Sequence, residues 1–309
     1  MTDPAIAIQA SEAVPKPASG RETTAGAWRV GTLLATTSKF LDGKGSASPR
    51  LDAELLLARV LGLSKVQLYV NFERELSQAE LDAYRELVRR RAAFEPVAYI
   101  LGEKEFYGLR LKCTAAALIP RPETEHLVDE ALRLAKANWP DQKIRLADIG
   151  CGTGAISLAL ASRLAEAEIE AVDISPEALA LAGENAVALG LAGRIDFNQG
   201  DLMEPLKGSF NLMCANLPYI PTAEMPGLMP DVGRHEPHLA LDGGPEGLDL
   251  ILRLLEQSAD RMEEGGRALL EIWPASLSVL EKKAAAFGWQ LEDTVRDLAG
   301  HHRIAVMMR

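Results

Sequence analysis

The sequence predicts an α/β protein: a seven-stranded, largely parallel sheet covered by helices, preceded by a small helical domain. Two observations carry this prediction. From residue 144 to the C-terminus, short strand-like apolar segments alternate with helix-length segments, which is the pattern of parallel crossover connections. From residue 28 to about residue 94, apolar residues recur instead at the three- and four-residue spacing of amphipathic helices.

Composition places the chain among ordinary globular proteins. Its 309 residues are 48% hydrophobic and 25% charged, and no uninterrupted apolar stretch approaches the roughly 20 residues that cross a bilayer. The 33 basic and 44 acidic residues give a net charge of −11, which disfavours nucleic acid as a partner. The three cysteines show no metal-ligand spacing with the five histidines, so no metal is expected. We therefore expect a soluble cytoplasmic protein.

Four segments follow one another along the chain. Residues 1–25 are rich in Ala, Pro, Ser and Thr without the pattern of a signal peptide, and a disordered tail is expected there. Residues 26–104 are expected to form the helical domain, which contains no catalytic constellation and is suited to docking a partner. Residues 105–120 predict a β-hairpin linker around Gly108. Residues 121–309 are expected to form the α/β domain.

Several helix ends can be placed from the sequence. Ser48 and Ser77 are suited to start helices, and Gly62 is suited to end one. The arginines at 89–91 are expected at a solvated helix end. Pro122 opens a helix whose first turn is acidic, which suits the positive end of a helix dipole.

The sheet is expected to contain seven strands. The first five are separated by helices or long connections and should be parallel, whereas the last two are joined by a short turn and should form an antiparallel hairpin. The predicted strands cover residues 144–149, 168–173, 195–199, 210–216, 267–272, 289–295 and 303–309.

A glycine-rich turn follows the first of these strands, between Asp148 and Ala155. Glycines there let the backbone pass close to a ligand, and the helix that follows offers free N–H groups. The spacing D-x-G-x-G-x-G departs from the dinucleotide pattern G-x-G-x-x-G and resembles the first motif of Rossmann-like methyltransferases, which use S-adenosylmethionine. The candidate cofactor-binding residues of the turn are Gly150, Cys151, Gly152, Thr153 and Gly154.

Acidic residues end the next two strands. Asp173 lies about 20 residues beyond the glycines, where a carboxylate can accept hydrogen bonds from ribose hydroxyls. Asp201 follows the third strand and could accept from an adenine amine, while Leu202 could cover the ring. All three are candidate cofactor-binding residues.

The segment Asn216–Tyr219 follows the fourth strand. In a doubly wound sheet the order reverses between the first and fourth strands, so this segment should meet the glycine turn. A planar NH2 to be methylated shares its lone pair with an adjacent π system and attacks poorly, so it is best held by acceptors only, here the side-chain carbonyl of Asn216 and the main-chain carbonyl of Leu217. Tyr219 could lie against the planar substrate group. The candidate catalytic and substrate-binding residues are Asn216, Leu217, Pro218 and Tyr219, and Asn216 is also a candidate cofactor contact.

Residues 28–309 resemble the HemK/PrmC family, the release-factor glutamine N5-methyltransferases. The resemblance is carried by the segments PRLDAELLL, LIPRPETEHLV, DIGCGTGAI, NLPYIP and EPHLALDGGPEGLDLI. It implies an enzyme that moves a methyl group from S-adenosylmethionine to the glutamine amide of the Gly-Gly-Gln loop in class I peptide chain release factors, in translation termination. Leu217 departs from the Asn-Pro-Pro-Tyr motif that is usual in this family.

Two alternatives and two further assignments remain open at this point. Asn-Leu-Pro-Tyr is also similar to the motif of adenine-N6 rRNA dimethyltransferases, so a nucleic-acid adenine-N6 or cytosine-N4 amino-methyltransferase is the second hypothesis; a non-catalytic interaction protein is the third. Arg121 is a candidate substrate-binding residue from its place in the junction motif, or else it pairs with Glu123 or Glu125. Residues 235–238 are expected to form a wall or lid and not a metal site.

Overall fold

The computed structural model describes residues 27–140, 142–297 and 299–309. The predicted tail, residues 1–25, lies outside them. The chain forms two compact units that divide between Leu101 and Gly102. Among the described residues, no helix combines the length and the apolar character that a bilayer crossing requires.

The first unit is helical, which confirms the prediction from apolar spacing. Ser77 caps α4, since its hydroxyl oxygen accepts the Glu80 N–H at 3.3 Å, and Pro49 opens α2 after Ser48. Gly62 ends α2 with a left-handed φ of 63°. The helices of this unit are α1 (Val30–Gly43), α2 (Pro49–Leu61), α3 (Lys65–Val70), α4 (Gln78–Ala92) and α5 (Val97–Leu101).

The three arginines at 89–91 do not share the solvated position expected for them. Arg89 is exposed and pairs with Glu86 at 2.6 Å, as expected. Arg91 instead is 6% exposed and donates from Nε to Asp52 Oδ2 on α2 at 2.7 Å. The expectation is therefore wrong for Arg91, because successive helical residues point about 100° apart and one of the three faces the core.

The second unit begins with a β-hairpin. Its strands, β1 (Glu103–Phe106) and β2 (Leu109–Lys112), are antiparallel and are joined through Tyr107 and Gly108, both with positive φ, which is the two-residue turn that suits a hairpin. The hairpin starts at Glu103, slightly before residue 105, because Glu103 pairs with Lys112 across the two strands.

A seven-stranded sheet forms the centre of the second unit, and it confirms the predicted fold class. Its strands are β3 (Arg145–Ile149), β4 (Glu168–Asp173), β5 (Ile195–Gln199), β6 (Phe210–Ala215), β7 (Met262–Glu271), β8 (Gln290–Arg296) and β9 (His302–Met308). Their order is β5-β4-β3-β6-β7-β9-β8, with β3 to β7 parallel and β9 antiparallel to both neighbours. The chain thus reverses its direction across the sheet between β3 and β6.

Helices cover both faces of this sheet. Successive residues of β3 serve opposite faces, since Leu146 packs with α6 and α7 whereas Ala147 packs with α10 and α11. The helix predicted from Pro122 opens with a 3-10 turn, Pro122–Thr124. The helices are α6 (Glu125–Asn138), α7 (Ala155–Arg163), α8 (Pro176–Ala188), α9 (Pro230–His235), α10 (Asp249–Ser258) and α11 (Leu277–Ala284).

Candidate active site

The candidate site lies at the carboxyl ends of β3 and β6. These strands are neighbours, with Ile149 paired to Ala215, so the glycine turn and the segment after β6 leave the sheet side by side. A methyl group on Gly150 would lie 2.8 Å from Leu217 Cδ2 and 3.9 Å from the Asn216 carbonyl oxygen. The two motifs therefore meet where the strand order predicts, and the left-handed φ of 75° at Gly150 favours glycine at this close approach.

A cavity of about 360 Å³ opens at this place. Its wall includes most of the residues that the sequence singles out, from both motifs and from the ends of β4 and β5. These are Gly150, Gly152, Asp173, Asp201, Leu202, Asn216, Leu217 and Pro218. The cofactor and substrate candidates thus share one cavity.

Asp173 holds the glycine turn. Its Oδ2 accepts the Gly152 N–H at 2.8 Å, and its Oδ1 accepts the Ser175 N–H at 2.9 Å. Burial raises the pKa of Asp173, and these backbone donors oppose the rise. Each carboxylate oxygen keeps a further lone pair for a ligand, so the same side chain can shape the turn and bind a hydroxyl.

The other residues of the turn lie behind the cavity. Cys151 is 6% exposed and packs in the core beside α7, and the Thr153 carbonyl accepts from Asn185 Nδ2 at 3.0 Å. A methyl group on Gly154 would lie 3.2 Å from Ala182 Cβ, so the glycine permits close helix packing. These three residues shape the turn without contributing to the wall of the cavity.

Asp201 has a partner that the sequence does not reveal. Arg253 on α10 donates from a guanidinium nitrogen to Asp201 Oδ2 at 2.5 Å, and both side chains line the cavity. The next residue, Leu202, adopts a left-handed φ of 54°, a conformation that is uncommon outside glycine. This geometry turns the chain after β5 so that Leu202 is buried in the wall.

Asn216 belongs to a row of hydrogen bonds behind the cavity. Its Nδ2 donates to Thr124 Oγ1 at 3.0 Å, and Thr124 Oγ1 donates to Glu271 Oε2 at 2.7 Å. Tyr219 Oη donates to Glu271 Oε1 at 2.9 Å, so its hydroxyl faces this carboxylate, and Tyr219 is not among the residues that line the cavity. Burial raises the pKa of Tyr219 and the pKa of Glu271. Neither Thr124 nor Glu271 is predicted from the sequence, although Thr124 lies in the acidic first turn after Pro122 and Glu271 lies near the end of a predicted strand.

Arg121 pairs with neither Glu123 nor Glu125. Its guanidinium forms an ion pair with Glu236, a buried side chain that also accepts the Ile119 N–H at 3.0 Å. Arg121 itself does not line the cavity, whereas Pro237, Leu239 and Ala240, just beyond Glu236, do. The pair thus anchors the segment that follows Asn216–Tyr219 as a wall of the cavity.

Asp148, at the end of β3, is the most deeply buried acid near the site. Its Oδ2 accepts the Ser157 N–H at 2.9 Å, while Oδ1 finds no hydrogen-bond partner among the described residues. Burial raises the pKa of Asp148 to about 7. The carboxyl group is therefore protonated over most of the acidic range.

We expect Asp148→Asn to remove a pH dependence of stability. Unfolded aspartate ionises near its ordinary pKa of 3.8, whereas Asp148 in the fold holds its proton to about pH 7. Relative to the variant, the free energy of unfolding of the wild type is thus highest below about pH 4. It falls by about 1.4 kcal/mol per pH unit as the pH rises from there towards 7. Urea unfolding of both proteins across this range measures the difference, and a constant difference would contradict the assignment.

Comparisons with known proteins agree with the geometry. The family model of the PrmC N-terminal domain matches residues 32–102, and that of the methyltransferase small domain matches residues 124–226. A release factor glutamine methyltransferase of Rhodopirellula baltica is 41% identical over 91% of this chain and 97% of its own length. One of Moorella thermoacetica is 42% identical over 89% of this chain and 97% of its own length.

A solved structure shares the fold. The hMettl16 catalytic domain, determined in complex with a MAT2A 3′UTR hairpin, superposes with a TM-score of 0.53 at 16% identity. The match covers 70% of this chain and 82% of that one. At this identity the likeness concerns the fold alone.

Proposed function

This chain belongs to the release factor glutamine methyltransferase family, and from that premise we propose that it methylates the side-chain amide nitrogen of a release-factor glutamine with S-adenosylmethionine. The observation that carries the proposal is the shared cavity, in which the glycine turn with Asp173 and the acceptor side chain of Asn216 face the same space. We place the glutamine in the Gly-Gly-Gln loop of class I release factors and the reaction in the cytoplasm.

The cofactor half of the cavity fits S-adenosylmethionine. When bound, that molecule supplies a methyl group on a positively charged sulfur. Asp173 would accept hydrogen bonds from the ribose hydroxyls through the lone pairs that Gly152 and Ser175 leave free. Asp201 would accept from the adenine amine, while Leu202 gives an apolar surface for the ring. The glycines let the backbone approach the bound molecule closely.

The acceptor half suits a planar amide. Asn216 Oδ1 and the Leu217 carbonyl would accept hydrogen bonds from the two N–H groups of the glutamine amide, and this holds its nitrogen with the lone pair aimed at the methyl group. The bound cofactor would supply the methyl group as its sulfur–methyl bond gives way to a nitrogen–methyl bond, and one amide proton would then leave to water. The two carbonyl dipoles stabilise the positive charge that develops on nitrogen.

A transfer assay tests this function. The purified chain is incubated with methyl-labelled S-adenosylmethionine and either a class I release factor or ribosomal RNA. We expect label on the release factor, located on the Gly-Gly-Gln glutamine by peptide mass spectrometry, and none on a release factor whose glutamine is replaced by alanine. Because the chain carries a net charge of −11, we expect no label on the RNA. Label on the RNA alone would overturn the proposal.

We expect Leu217→Pro to keep a rate of methyl transfer close to that of the wild type. The reaction uses the main-chain carbonyl of this residue, which proline also provides. The leucine side chain is 5% exposed and packs in the core beneath α10, so its loss should lower the free energy of unfolding by about 2 kcal/mol. Steady-state kinetics and urea unfolding measure the two effects. An inactive but folded variant would assign a role to the leucine side chain or its N–H.

A further inference from the structure

Four side chains, two of them from the segment Asn216–Tyr219, form a continuous row of hydrogen bonds. Asn216 Nδ2 lies 3.0 Å from Thr124 Oγ1, Thr124 Oγ1 lies 2.7 Å from Glu271 Oε2, and Tyr219 Oη lies 2.9 Å from Glu271 Oε1. Thr124 is 3% exposed and Glu271 is 1% exposed. Of the four described side chains in the row, Asn216 is the one that lines the cavity.

The row has a direction. An ionised carboxylate only accepts hydrogen bonds, so Glu271 accepts one from the Tyr219 hydroxyl on Oε1 and one from the Thr124 hydroxyl on Oε2. A threonine hydroxyl has a single proton. Because Thr124 uses that proton in its hydrogen bond to Glu271, its oxygen can only accept a further hydrogen bond. The group of Asn216 that faces Thr124 must therefore be a donor, which is its NH2 group. The Oδ1 atom of the same amide is then available to accept a hydrogen bond from a ligand in the cavity.

We propose that Thr124 and Glu271 are positioning residues that hold the Asn216 amide with its oxygen towards the substrate. The inference rests on the proposed function, since methylation of an amide nitrogen needs acceptors at this place. The two ends of an asparagine amide have nearly the same shape, so packing alone does not distinguish them. A flipped amide would present NH2 to the substrate NH2, and it would repel the hydrogens that it should bind.

Both hydroxyl donors also support the ionised form of Glu271. Burial raises the pKa of this carboxyl group, and the hydrogen bonds from Thr124 and Tyr219 oppose that rise. Arg303 lowers the pKa as well, whereas Glu123 raises it. The hydrogen bonds from Thr124 and Tyr219, one to each oxygen of Glu271, are those that an ionised carboxylate accepts.

Thr124→Val and Thr124→Ser form a matched pair for the test. Valine has nearly the shape of threonine without the hydroxyl, and serine keeps the hydroxyl. We expect Thr124→Val to lower kcat by about ten- to a hundredfold, because the Asn216 donor loses its partner and the amide is free to flip. The Kd for S-adenosylmethionine by calorimetry should not change, and Thr124→Ser should recover most of kcat. Thr124→Ala serves if the valine variant does not fold.

A double variant separates positioning from a general structural effect. In the Asn216→Ala background the amide is absent, so adding Thr124→Val should cause no further fall in kcat. Equal losses in both backgrounds, or an undiminished kcat in Thr124→Val, would overturn the inference. Either result would leave the proposed function standing, as long as the wild type labels the release factor.

Nuclear magnetic resonance gives a readout that does not need activity. The side-chain NH2 signals of Asn216 are identified by their absence from Asn216→Ala. In the wild type and in Thr124→Ser, we expect one of these protons to be protected from exchange with water by its bond to Thr124. In Thr124→Val or Thr124→Ala that protection should be lost. Unprotected signals in the wild type would refute the row even if methyl transfer is confirmed.

Discussion

Asn216→Ala should lower the rate of methyl transfer by about a hundred- to a thousandfold, while the affinity for S-adenosylmethionine stays close to that of the wild type. Removal of one preorganised polar group that faces developing charge has an effect of this size in other enzymes. Here the side chain supplies one of the two acceptors that would hold the glutamine nitrogen. We expect the larger part of cofactor binding to remain, because Asp173 is held by the Gly152 N–H and not by Asn216.

Single-turnover kinetics and calorimetry measure the two quantities separately. Asn198→Ala is a matched control, because Asn198 on β5 does not itself line the cavity and, among the described residues, its Nδ2 donates to the main-chain carbonyl of Asp196. This control should methylate at the wild-type rate. A folded Asn216→Ala variant with unchanged turnover would remove the proposed acceptor role of the side chain.

Asp173→Ala is expected to weaken the binding of S-adenosylmethionine by about ten- to a hundredfold. The variant loses a charged acceptor for the ribose hydroxyls, and hydrogen bonds to charged groups are worth about 1.5–3 kcal/mol each. It also frees the N–H groups of Gly152 and Ser175, which the carboxylate holds at 2.8 and 2.9 Å. The turn beneath the cofactor should therefore become more mobile in the same variant.

Asp173→Asn distinguishes these two contributions only in part, since its NH2 group would face a backbone N–H on one side. We expect it to bind the cofactor more weakly than the wild type and more tightly than the alanine variant. Asp196→Ala, which changes an exposed acid on β5, is the control for net charge and should bind normally. Calorimetry that finds no loss in Asp173→Ala would withdraw the ribose assignment.

The pattern of strands and connections in the sequence predicted much of the architecture. Alternation and connection length predicted five parallel strands and a terminal hairpin, and the sheet confirms both. The same strand order predicted that the glycine turn and Asn216 meet, and the pairing of Ile149 with Ala215 places the two segments side by side. Strand ends were less accurate, because β7 begins at Met262, ahead of the predicted residue 267. Glycine and glutamate at its start weaken the local β signal.

Side-chain partners were the part that sequence reasoning could not supply. Arg121 bonds to Glu236, 115 residues away, and not to the acids beside it; Arg91 turns to the core and finds Asp52. The Thr124 hydroxyl meets Glu271 across 147 residues. Such pairs produce no recurring spacing of residues in the sequence, since each partner is determined by how distant elements pack.

By itself, the sequence determined this protein's strand directions, its glycine turn and the loop that follows β6, because periodicity and backbone freedom act over a few residues. Tertiary structure alone decided that the Asn216 amide is held by Thr124, and Thr124 by Glu271. An asparagine in a sequence is the same residue whichever way its amide points. Only the buried donors and acceptors that surround it after folding select one orientation.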